Sequence, residues 1–119
     1  MATSDMARRL RPAPRRRVLG REVAVAAGFR VRLLGLTFLE ADQVGGGLLI
    51  PRCRSVHTFG MRFALDLYFL GADGTPSSVR LGVRPNRVAS DRQAAAVLEL
   101  PAGAELPAFR GEELASPKT

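Results

Sequence analysis

The sequence predicts a mainly β fold, a compact small barrel or sandwich of short strands with one or two short helices. Three observations carry the prediction. Apolar runs are short and are separated by glycine, proline and polar breaks. The step "GADGT", residues 71–75, stands between two strand-like runs, and Asp-Gly signals a hairpin because glycine supplies positive φ without steric cost. Helical spacing is confined to brief stretches, against an alternating βαβ order.

In chain order, "VLGREVAVA" (18–26) alternates weakly and ends in small residues, the pattern of a first strand. In "AAGFRVRLLGLTFL" (26–39), Phe29, Leu33 and Leu36 fall near helical spacing with Arg30 and Arg32 off that face. A short helix is predicted there, weakened by Gly28 and Gly35. "GGGLLIP" (45–51) reads as a glycine-rich loop feeding a short buried strand that stops at Pro51. It lacks the Gly-Lys-Ser/Thr ending of a phosphate loop. Residues 55–70 read as a strand bent or bulged at Gly60. Pro76 starts the returning strand late or places it at an edge. "RPNRVASDRQ" (84–93) is a polar connection, and "AAAVLELPAG" (94–103) holds the last strand, closed by a Pro-Ala-Gly turn. The remainder allows one short helical or extended piece.

With 119 residues the chain accommodates one domain with a real hydrophobic core. A net charge of +7 and a pI of 11.3 raise nucleic-acid binding, so the location of the charge matters. Residues 1–21 carry seven arginines against Asp5, a net of +6, and residues 22–119 carry eleven basic and ten acidic residues, a net of +1. An arginine-rich segment interrupted by Pro12 and Pro14 buries too little apolar surface to offset the entropy of ordering it. The predicted organisation is a disordered tail over 1–17, a single β-rich domain over 18–112 and a frayed C-terminus over 113–119. Nucleic acid would be contacted through residues 1–17 alone, weakly and with strong salt sensitivity. "RRRVL" has the look of a twin-arginine export signal, but Arg21 and Glu22 interrupt the apolar region that should follow. No run approaches the roughly 20 apolar residues of a membrane span. A single cysteine excludes an internal disulfide, and a cytoplasmic location is expected.

The stretch "CRSVHTFGMRFALDLYFL" (53–70) holds the chain's single cysteine, histidine and tyrosine and an aspartate inside an apolar run. Extended, its odd positions from His57 to Phe69 are almost all apolar, and its even positions carry Arg62 and Asp66. Those two lie roughly 13 Å apart along a strand, too far to pair directly. A carboxylate among Leu65, Leu67 and Phe69 is costly unless partnered. Asp66 therefore requires either an arginine across the sheet, from among Arg54, Arg80, Arg84 and Arg87, or backbone N–H groups that make it the pin of a turn or sheet crossing. His57 is either a hydrogen-bonded structural residue or a general base. Cys53 and His57 supply two potential zinc ligands where three or four are needed, so no metal is predicted. A Cys–His nucleophile pair fails on distance, and a serine hydrolase would need a Gly-x-Ser-x-Gly elbow. Met61 reads as core filler.

The run "GGGLLIPRCRSVHTFGMRFALDLYFLGADGT" (45–75), followed by "AVLELPAG" (96–103), resembles the Domain of Unknown Function 192 family of small bacterial and archaeal proteins. The matching positions are residues 55–63, Asp66, Phe69, Leu70, Asp73, Gly74, Leu98, Glu99 and Gly103, and the resemblance spans roughly residues 18–105. It implies a compact, mostly β fold with one short helix and carries no established activity. Ala64 stands where the family usually has proline, and Leu34 where arginine is frequent, which removes one candidate partner of Asp66.

The leading functional expectation is a small soluble β domain without committed catalytic residues or cofactor. It binds a small molecule or a partner protein in a groove beside the His57–Asp66 strand, lined by Arg54, His57, Thr58, Met61, Arg62 and Asp66. Monomer or weak dimer is expected. The alternatives are a hydrolase-like enzyme with His57 as general base, for which Asp66 is the second candidate residue, and nucleic-acid association through the tail.

Overall fold

Extended structure begins earlier than the sequence predicts. A computed structural model of the chain describes residues 14–26, 47–104 and 106. Where one strand is expected over 18–26, it forms a hairpin of β1 (Arg15–Val18) and β2 (Arg21–Val25). Leu19 and Gly20 make the turn with φ of 50° and 84°. Two successive positive φ values are what a two-residue hairpin turn needs, and leucine in place of the usual Asn or Gly hides it in the sequence. Arg15, Arg16 and Arg17, expected in a disordered tail, are thus strand residues.

β2 runs parallel to β3 (Leu48–Pro51), whereas every other pairing in the sheet is antiparallel. Parallel neighbours require a long connection, and residues 26–47 stand between these two strands in the sequence. The helix predicted over 26–39 lies, beyond Ala26, outside the described residues, as does most of the C-terminal piece. Among the described residues there is no helix, so the expected one or two short helices are not part of the described fold.

The six-stranded sheet has the order β1-β2-β3-β8-β5-β6, with β5 spanning Leu65–Leu70, β6 Pro76–Val83 and β8 Ala96–Pro101. β1 and β6 stand at its two ends, so the sheet is open and the barrel alternative is corrected. β8 occupies the centre because both of its neighbours are apolar, and β5 beside it is buried at all six positions. Pro76 begins the edge strand β6, where a missing N–H costs no ladder bond.

The predicted bent strand over 55–70 is two strands in different sheets. β4 (Ser55–His57) leaves the main sheet and pairs with β7 (Val88–Ser90), which lies inside the segment read as a polar connection. β7 has no legible period because a single residue, Ala89, is buried. Val56 and Ala89 turn inward and pack with Met61, Leu48, Ile50, Leu65, Leu67, Phe69 and Val97. The opposite face of the main sheet holds Val23, Leu49, Tyr68, Leu70, Leu98 and Leu100. Each such Leu, Val or Phe contributes roughly 1.5–3 kcal/mol on burial. Among the described residues no helix is long and apolar enough to cross a membrane.

Candidate functional site

Alternation along β5 separates two groups that the sequence reading places in one groove. Leu65, Leu67 and Phe69 face the β4–β7 ribbon, and Asp66 shares its parity with Tyr68 and Leu70 on the other face of the sheet. The Asp66 charge, after burial, helps hold the Tyr68 hydroxyl above its ordinary pKa, as a shared face requires.

Asp66 is buried, and both carboxylate oxygens accept backbone N–H bonds, Oδ1 from Gly82 at 2.8 Å and Oδ2 from Gly103 at 2.9 Å. The first partner has a specific origin. Leu65 pairs with Val83 and Leu67 with Arg80, so Leu81 and Gly82 together oppose Asp66 in a β-bulge. The bulge takes the Gly82 N–H out of the ladder, Gly82 adopts φ of 64°, and the carboxylate accepts the freed donor. Gly103 lies in the turn leaving β8, with φ of 88°. Asp66 thereby ties three strands together at the end of the sheet.

Thr58 is equally committed. Residues 58–61 form a turn closed by Met61 N–H to Thr58 O at 3.1 Å, with Gly60 at the position that needs positive φ (80°). The buried Thr58 hydroxyl donates to Arg84 O at 2.7 Å and accepts from Arg87 N–H at 2.7 Å. It is inserted between the two groups that close an ordinary four-residue turn. Thr58 O also accepts the Asn86 N–H at 3.2 Å, so one threonine stitches the 58–61 turn to the Arg84-Pro85-Asn86-Arg87 turn. Met61 points into the core, as expected of a filler.

His57 is exposed on the outer face of β4, opposite Val88. Its Nδ1 accepts the Phe59 N–H at 3.2 Å, and its ring stacks on Phe59 at a centroid distance of 5.1 Å and an interplanar angle of 25°. Among the described residues, the hydrogen bonds of the imidazole include none to a carboxylate. Arg62 is exposed and engaged by a neighbour. Arg54 lines an open groove of about 740 Å³ with Arg52, Cys53, Ser55, Ala94 and Ala95. Of the six predicted residues, then, Arg54 lies in this groove and His57 on the adjoining outer face of β4. Thr58 and Met61 are directed inward, and Asp66 is on the far face. Among the described residues no three of His, Cys, Asp and Glu gather as for a metal ion.

One buried carboxylate is absent from the predicted site. Glu99, in the middle of β8, is paired across the ladder with Leu48 and Leu67, both core residues of the ribbon-facing side. Burial raises its pKa to about 7. The signal was present in the run "AVLELP", an acid among apolar residues, the same signal that singles out Asp66.

The sequence profile of the family described as "Uncharacterized ACR", DUF192, matches residues 13–106. Among curated proteins none matches the chain. Two solved structures are similar. One, a protein of unknown function from Novosphingobium aromaticivorans DSM 12444, is 19% identical over 70% of this chain with a TM-score of 0.56. This chain spans 66% of that protein, just under two thirds. The other, from Sinorhizobium meliloti 1021 and described as a "putative transcription regulator", is 27% identical over 69% of each chain, also with a TM-score of 0.56.

Proposed function

The chain belongs to the DUF192 family, whose description assigns no activity, and from its site geometry we propose that it is a binding module for a small anionic or amphipathic molecule. The observation that carries this reading is the groove of about 740 Å³ in which Arg52 and Arg54 adjoin the apolar Ala94 and Ala95. Guanidinium groups recognise carboxylate or phosphate through paired N–H donors, and the alanines offer a surface to an alkyl or aryl portion. Within this reading Arg54 and His57 touch the ligand. Thr58, Met61, Arg62 and Asp66 hold the frame that presents them. A cytoplasmic setting agrees with the free thiol of Cys53 on the groove wall.

Octanoate is a suitable probe, because it joins one carboxylate to an apolar tail. It should raise the melting temperature of the wild-type protein in proportion to the logarithm of its concentration. Arg54→Ala should reduce that shift, and Ala95→Trp, which fills the groove from an exposed position, should abolish it. An unchanged shift in both variants refutes the groove.

The description of the Sinorhizobium meliloti protein, together with Arg15, Arg16 and Arg17 exposed on edge strand β1, favours a second reading. In it, nucleic acid is held through the basic N-terminal segment, and the affinity falls steeply with salt.

A further inference from the structure

The outer face of the β4–β7 ribbon carries an exposed aromatic platform within a strongly cationic surround. Inward burial of Val56 and Ala89 leaves Ser55, His57, Val88 and Ser90 facing outward. Phe59 is 49% exposed and Val88 65%, which leaves an apolar surface open beside the imidazole. Phe59 is also held in place. It occupies the tip of the 58–61 turn, its N–H is bound by His57 Nδ1, and its ring is stacked nearly parallel on the imidazole.

Among the described residues, charge along the two segments that build this platform is one-sided. Segments 52–62 and 84–92 contain Arg52, Arg54, Arg62, Arg84, Arg87 and Arg92, all exposed, against Asp91 as the single acid. The Asp91 carboxylate is occupied by the Ser77 and Ser78 hydroxyls and the Gln93 N–H. Thr58 fastens the Arg84–Arg87 turn directly to the turn bearing Phe59, so Arg84 and Arg87 belong to the platform by construction. Arg87 Nη1 lies at 3.4 and 3.3 Å from the carbonyls of Pro85 and Asn86, which keeps its guanidinium beside that turn.

We infer that this face binds single-stranded nucleic acid, with a base stacked on Phe59 and backbone phosphates held by Arg54, Arg84 and Arg87. Cations alone suit any polyanion. An exposed, immobilised π-face suits an unpaired base, whose own π-face is accessible once it leaves a duplex. An acidic peptide offers charge without that planar partner, and a duplex buries the faces that would stack. The inference uses the folded ribbon rather than the N-terminal segment and requires no small molecule in the groove.

The test is fluorescence anisotropy of the full-length chain with a labelled single-stranded oligonucleotide of about 12 nucleotides, long enough to cover one such site. The wild type should bind it in preference to the corresponding duplex. Phe59→Ala should weaken binding by about tenfold or more, and Phe59→Tyr should retain it. Arg84→Gln with Arg87→Gln should lower the slope of log affinity against log salt by about 1 to 2. Phe59 is half exposed, and thermal melting should confirm that its variants stay folded. The proposal is overturned by any of three results. These are no binding by the wild type, equal affinity in Phe59→Ala, or displacement of the oligonucleotide by polyglutamate of equal charge as efficiently as by unlabelled strand.

Discussion

Asp66 shows how a single side chain can look catalytic in a sequence and be structural in the fold. Its isolation among leucines and phenylalanine guaranteed a partner, and the choice was between an arginine and the backbone. The bulge at Leu81 and Gly82 decides for the backbone, since it releases an N–H that a carboxylate oxygen accepts at 2.8 Å. An amide cannot replace this arrangement, because its NH₂ would confront one of the two N–H donors. Asp66→Asn is therefore expected to lose roughly 1–3 kcal/mol of unfolding stability, nearly as much as Asp66→Ala. Urea denaturation of the two variants checks this, and an Asn variant as stable as wild type contradicts the two-acceptor role. His57 is the converse case. The sequence marks it as a lone imidazole, but its hydrogen bond to the Phe59 N–H and its stacking on the Phe59 ring depend on a turn that positive φ at Gly60 permits.

At the scale of elements, the β4–β7 ribbon has three residues per strand and cannot be stable on its own. The apolar contact of Val56 and Ala89 and the hydrogen bonds of the Ser77 and Ser78 hydroxyls to Asp91 hold it to the main sheet, and the Thr58 stitch holds its two turns together. Thr58→Val keeps the shape and removes the hydroxyl, leaving the Arg87 N–H and the Arg84 carbonyl without their partner. The expected cost is about 1–3 kcal/mol, with Thr58→Ser close to wild type. In native-state hydrogen exchange, protection should fall first at Arg87 and Asn86, whose N–H groups bond Thr58. Uniform loss of protection across the main sheet would show instead that the ribbon and the sheet unfold as one unit. Short β7 was missed in the sequence because one buried residue in three establishes no alternation. The two Thr58-linked turns join residues 26 or more positions apart, which local patterns do not encode.

For the molecule as a whole, the carboxyl of Glu99 links stability to pH. Its folded pKa is raised from 4.5 to about 7, so the folded state holds a proton that the unfolded chain releases. Stability from this group is fully present below about pH 4.5, declines as pH rises through 7, and is then level, a total of roughly 3 kcal/mol. Glu99→Gln removes the titration. Its melting temperature relative to wild type should be close to equal at pH 4.5 and higher by several degrees at pH 8. A difference that stays constant across this range contradicts the assignment.

The sequence by itself determined the β class, the hairpin at Asp73-Gly74, a strand after Pro76 that either starts late or lies at an edge, the buried runs that became β3, β5 and β8, and the family. Each of these is written in local terms: a period of two, a turn residue, or a run of apolar side chains whose burial is favourable in any β context. The tertiary structure alone decided that the sheet is open, that the strand bent at Gly60 divides between two sheets, and that His57 stands on the outer face of the ribbon while Asp66 stands on the face of the main sheet turned away from it. Those outcomes depend on which strands become neighbours, and neighbours are selected by the packing of residues far apart in the chain. A one-residue change of parity moves a side chain from one face to the other, so whether polar residues converge is settled when register is settled.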